Sequence, residues 1–107
     1  MSDSADPSAD LQSQLDKDRI EFLRTELNAG FTFVSLAETE RSIGNDEHAR
    51  RSAADAEKAY ATLQGFLTDP KHSTHINDEE RQELTERMEQ LRKKLDSFAH
   101  PGSSSAP

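Results

Sequence analysis

Apolar residues recur at steps of three and four over residues 20–98, with breaks at Gly44-Asn45 and at Asp69-Pro70. Ile20, Leu23, Leu27, Gly30, Val34 and Ala37 form one seam, and Ala49, Ala53, Ala56, Tyr60, Leu63 and Leu67 form a second. This spacing is that of one face of an α-helix. The two seams mirror each other about residue 45. Ala37 answers Ala53, Val34 answers Ala56, Gly30 answers Tyr60, Leu27 answers Leu63 and Leu23 answers Leu67. Two helices folded back on a tight turn give this pattern, because each side chain then meets its mirror partner. On this reading Gly30 makes room for the Tyr60 ring.

A third seam, Leu84, Met88, Leu91, Leu95 and Phe98, follows a strict four-three-four-three step. It mirrors the second seam, pairing Leu63 with Leu84, Tyr60 with Met88 and Ala56 with Leu91. The pattern predicts an all-α protein: an antiparallel up-down-up three-helix bundle with helices at about 10–43, 46–68 and 77–98. Residues 1–9 and 99–107, rich in Ser, Asp, Ala, Pro and Gly, read as disordered tails.

Local signals fit these bounds. Ser8 is a candidate N-cap for the first helix, and Gly44 suits its left-handed stop. The apolar phase runs through Gly30 without a slip, so the first helix is expected to be continuous there. Asn45 or Asp46 starts the second helix, and Asp69-Pro70 ends it. A polar connection follows, from Lys71 to Ile76. Asn77 then caps the third helix, with Glu80 at the reciprocal capping-box position.

The first helix carries a further apolar stripe on its other flank: Leu11, Leu15, Phe22, Ala29, Phe33, Leu36 and Ile43. Two readings stand. A helix facing two neighbours needs a broad apolar arc. Alternatively, part of the stripe stays exposed as a docking surface. Phe33, Leu36 and Ile43 are the candidate partner-binding residues on the second reading.

Charge narrows the choice of partner. Net charge is −8, with 21 acidic against 13 basic residues, and no segment is basic. Nucleic acid and anionic membrane both need a concentrated Lys/Arg surface and are not expected partners. There are no cysteines, which removes disulfides and thiolate chemistry and fits a cytoplasmic protein. The first residues have neither a basic region nor an apolar run, so no signal peptide is expected.

Candidate chemistry is sparse. His72 and His75 are three apart, with Asp69 and Asp78 near, a cluster from which a small metal- or ligand-binding regulator could be built in the 69–78 loop. No further ligand lies at motif spacing, and solvated connection residues explain the pair as well. No histidine has Glu three positions before it, which excludes a two-metal carboxylate bundle. Glu38 and Glu40 fall on different helix faces, and no Gly-rich phosphate loop is present. Neither catalysis, a metal nor a cofactor is expected.

Phe33, Leu36-Ala37, Gly44-Asn45, Ala49 and Ala56 fall at the spacing of a tetratricopeptide repeat, so residues 33–56 resemble one such unit. Glu40 stands where that repeat usually has an aromatic, Ala53 replaces another, and no Pro closes it. With a third helix, the layout is similar to microtubule-interacting-and-transport domains. Both families bind peptides or helices in a groove. The resemblance implies a non-catalytic interaction module that binds a protein partner or itself, and it transfers no ligand-contacting residue to this chain.

Overall fold

The computed structural model describes residues 7–100, and the side chains from residue 10 onward. All regular structure among these residues is helical. There are four helices: α1 (Pro7–Ser42), α2 (Asp46–Thr68), α3 (Pro70–Ser73) and α4 (Asp78–Ala99). Three helices were expected; the fourth, α3, is a single turn inside the supposed polar connection. α1 begins at Pro7, so Pro7 to Ala9 are helical rather than part of a tail, and Ser8 lies inside the helix rather than capping it. Pro suits a first helical turn, where its missing N–H would have no partner. At the other end Ala99 closes α4 and His100 caps it, its N–H donating to the Asp96 carbonyl, so these two also leave the expected tail; residues 1–6 and 101–107 lie outside the described residues.

α1 is continuous through Gly30 and closes at a Schellman turn. Gly44 takes φ +85°. Its N–H donates to the Arg41 carbonyl (3.0 Å), and the Asn45 N–H donates to the Glu40 carbonyl (2.8 Å). The left-handed backbone explains the glycine, since a Cβ there would be strained. Asn45 occupies the N-cap of α2, but its side chain makes no capping hydrogen bond. α4 has the better start. The Asn77 side chain accepts from the Glu80 N–H (2.8 Å), and the Glu80 carboxylate accepts from the Asn77 N–H (3.2 Å). Asp78, Glu79 and Glu80 fill this first turn, where the helix dipole favours negative charge.

Contacts between α1 and α2 run in opposite numerical order. Near the turn, the Ser52 hydroxyl donates to Glu40 (2.7 Å); at the far end, the Phe22 and Phe66 rings lie 5.2 Å apart. Contacts between α1 and α4 rise together: Arg24 with Glu83, Asn28 with Arg87, and Arg41 with Phe98. Across α2 and α4, Arg92 meets Glu57. The core lies along the line these helices share. It contains Ile20, Leu23, Leu27 and Val34 from α1, Ala56 and Leu63 from α2, and Leu84, Met88, Leu91 and Leu95 from α4.

One mirror pair is corrected. Gly30 does not face Tyr60. A Cβ built on Gly30 would sit 2.7 Å from Leu91 Cδ2 and 3.6 Å from Ala59 Cβ. The glycine therefore admits Leu91 of α4, and Tyr60 lies half-buried at the edge, with the Arg92 guanidinium 5.0 Å from its ring centre. Mirror symmetry accounts for α2 but takes no account of a third helix entering the same layer.

The connection after α2 is packed rather than loose. Asp69 ends α2 through its N–H and starts α3 by accepting the Lys71 N–H on its side chain. Ile76 is buried in the core. Arg81 reaches back from α4 to the Ser73 and Leu67 carbonyls. The molecule extends 66 × 27 × 17 Å. α1 alone accounts for ~54 Å of that length, at the usual rise per residue. Its early turns reach the segment after α2, where Gln12 and Asp16 approach His75.

Candidate docking surface

α1 has two apolar faces, and the rest of the chain covers one. On the inner face Leu23, Leu27 and Val34 are fully buried. On the outer face Leu15, Phe22, Leu36 and Ile43 remain 47%, 41%, 44% and 73% exposed. Leu11, one turn before Leu15, is exposed as well. Of the three residues singled out from sequence, Leu36 and Ile43 are exposed, whereas Phe33 is half-buried and packed against the core.

The outer face is more regular than the first list of its residues suggested. Leu15, Phe22, Ala29, Leu36 and Ile43 stand seven residues apart. A step of seven keeps side chains on one line along a helix and is the step of a helix–helix seam. Leu15, Phe22 and Ala29, already in the stripe read from the sequence, thus share one line with Leu36 and Ile43. Phe33 flanks this line, four residues after Ala29 and three before Leu36.

One wall of the surface is aromatic. Phe22 packs on Phe66, and Phe66 stacks with the His72 ring at 4.2 Å between centroids. His72 Nδ1 accepts from Arg19 Nε (3.3 Å). His75 turns instead towards Asp16 (3.5 Å) and Gln12 (3.4 Å). The two histidines of the 69–78 loop therefore have separate partners. Among the described residues, no group of three or more His, Cys, Asp or Glu side chains is placed to hold a metal.

Charged residues divide by face. The basic side chains of α1 mostly turn to their own chain. Arg19 pairs with Asp16 (2.9 Å), and Arg24 makes two bonds of 3.0 Å to Glu83. Arg41 donates to the Phe98 carbonyl and lies 3.5 Å over its ring. These hydrogen bonds move titrations. Arg24 holds the Glu83 carboxyl below the usual carboxylate range, and Arg92, bidentate at 2.8 and 2.7 Å, does the same for Glu57. Arg92 is raised in turn by its bonds to Glu57. Glu40 is half-buried beside Ser52 and lies 3.8 Å from His48 Nδ1.

The grooves between helices are shallow. One of about 510 Å³, lined by Asp16, Ile20, Glu21, Arg24, His75 and Glu80, carries charges of both signs. Another, of about 190 Å³, lies between α2 and α4 against Tyr60, Leu67 and Met88. No helix among the described residues is long and apolar enough to cross a membrane. Neither a protein-family model, nor a curated protein, nor a solved structure matches the chain.

Proposed function

We propose that this chain is a non-catalytic helical docking module, an up-down-up bundle of α1, α2 and α4 that binds a protein partner along the outer face of α1. The opposite order of the α1–α2 contacts and the shared order of the α1–α4 contacts support that topology. The observation that carries the function is the heptad line of exposed apolar residues, Leu15 to Ile43, on a helix whose core needs are already met by its inner seam. Leu36 and Ile43 are the binding residues in this reading, with Phe33 supporting them from the core side. The setting is cytoplasmic, with neither nucleic acid nor membrane as partner. The alternative, a metal- or ligand-binding regulator using the 69–78 loop, draws less support. His72 is engaged by Phe66 and Arg19, and Ile76 anchors the loop in the core.

Affinity capture from a native extract, with the wild type beside the Leu36→Ser/Ile43→Ser double variant, tests the reading. Loss of a captured partner at an unchanged melting temperature is the expected result. Equal capture by both proteins would move the interface elsewhere.

A further inference from the structure

The outer line of α1 has a charge pattern as well as a shape. Positions three or four residues from two line residues are their neighbours on the helix surface. Between Leu15 and Phe22 stand Asp18 and Arg19; between Phe22 and Ala29, Thr25 and Glu26; between Leu36 and Ile43, Thr39 and Glu40. Arg19, the one basic residue among these, is tied to Asp16 and His72. Asp18 holds only the Gln14 amide (2.8 Å), and Glu26 has no hydrogen-bond or salt-bridge partner among the described residues. The line is therefore interleaved at Asp18 and Glu26 with negative charge that no basic side chain among the described residues pairs, whereas Glu40 accepts from Ser52 and faces His48.

This pattern selects among occupants. The line is centred on Ala29, so an antiparallel second copy would bring Asp18 against Glu40, and a parallel copy would set each acid against itself. The net charge of −8 adds to that repulsion. A helix with an apolar stripe flanked by Lys or Arg satisfies both the shape and the charge. We infer that the outer line of α1 takes the apolar face of a basic amphipathic helix from another protein, with Asp18 and Glu26 facing its cationic side chains. The inference rests on the docking reading above and adds the chemistry of the partner.

Three synthetic peptides of about 21 residues, ~32 Å as helix, test it by fluorescence anisotropy on the full chain. The first has Leu at helical spacing flanked by Lys, the second has the same Leu pattern flanked by Glu, and the third has the Lys/Leu composition in scrambled order. The expected result is binding of the first at least about tenfold tighter than of the other two. Leu36→Ser/Ile43→Ser should weaken it about tenfold or more, and Asp18→Asn/Glu26→Gln several-fold with a flatter salt dependence, both at unchanged circular-dichroism melting. If the Glu peptide binds as well as the Lys peptide, the cationic partner is overturned and the docking surface stands. If the scrambled peptide binds equally, or none binds, the inference is overturned. If the Leu36→Ser/Ile43→Ser variant binds like the wild type, the docking reading is overturned with it. A stripe-dependent dimer in sedimentation would make the occupant a second copy and overturn the inference alone.

Discussion

The inner and outer faces of α1 are built from the same residue types on the same helix, yet one is sealed and the other open. Leu27 is fully buried and Leu36 is 44% exposed, nine residues further along. The difference comes from what faces them. Opposite the inner seam, α2 presents small residues, Ala56 and Ala59, so the backbones approach closely, and α4 inserts Leu91 over Gly30. Beside the outer line, among the described residues, stand Phe66 on the flank of α2 and the His72 ring stacked on it. Burial is thus a property of the neighbour as much as of the apolar residue. A helix can carry a core seam and a docking seam together if its two lines point to different sides.

Substitutions can break or sharpen that contrast. Leu27→Ala should lower unfolding free energy by about 2–5 kcal/mol in a denaturant titration, because it opens a cavity in a sealed layer. Gly30→Leu should cost about 1–3 kcal/mol despite the better helix propensity of Leu, because Leu91 already fills the space. Combining it with Leu91→Ala should recover part of that loss, and strict additivity in this double-mutant cycle would refute the Gly30–Leu91 fit.

The Glu57–Arg92 pair is open to solvent and should behave as a surface ion pair, so Glu57→Gln should cost about 0.5–1 kcal/mol at pH 7. Its sign with pH follows from the direction of the shift. The folded carboxyl titrates below its ordinary value of 4.5, so its contribution is full above that pH and fades as pH falls through the folded value. Thermal melts of wild type and Glu57→Gln should therefore converge in acid. Ile43→Ala, on the open face, should change stability by no more than about 0.5 kcal/mol. A loss comparable to that at Leu27 would make the outer line core.

Much of the fold could be read from residue order. The helical period, the glycine stop at Gly44 and the Asn77–Glu80 box are local signals, and each has a physical cause within a few residues. The antiparallel order of the α1–α2 contacts about the Gly44 turn also follows from residue order, as Ser52–Glu40 and Phe22–Phe66 show, although the Gly30–Tyr60 pairing does not. What escaped depends on distant neighbours. Tyr60 and Leu91 are both plausible occupants of the space over Gly30, and only the height of α4 decides between them. Ile76 is a lone apolar residue in a polar stretch, and its place just before an N-cap was the available clue, since that position often packs back on a helix start. The heptad line of the outer face lay in the sequence, hidden because the helix has a second seam of similar strength.

The mirrored hairpin also sets an order of assembly. Near the turn, Ser52 with Glu40 closes a loop of only 12 residues, and each later pair adds little to a loop already closed. The α1–α4 contacts have no such gradient, because Arg24–Glu83 and Arg41–Phe98 are 59 and 57 residues apart. Chain entropy therefore favours zipping α1 and α2 outward from Gly44 before α4 arrives. In stopped-flow kinetics, core truncations near the turn, such as Ala49→Gly, should slow refolding, while Leu91→Ala should act chiefly on the unfolding rate. The helix that fills the gap over Gly30 would be the last to enter and the first to leave.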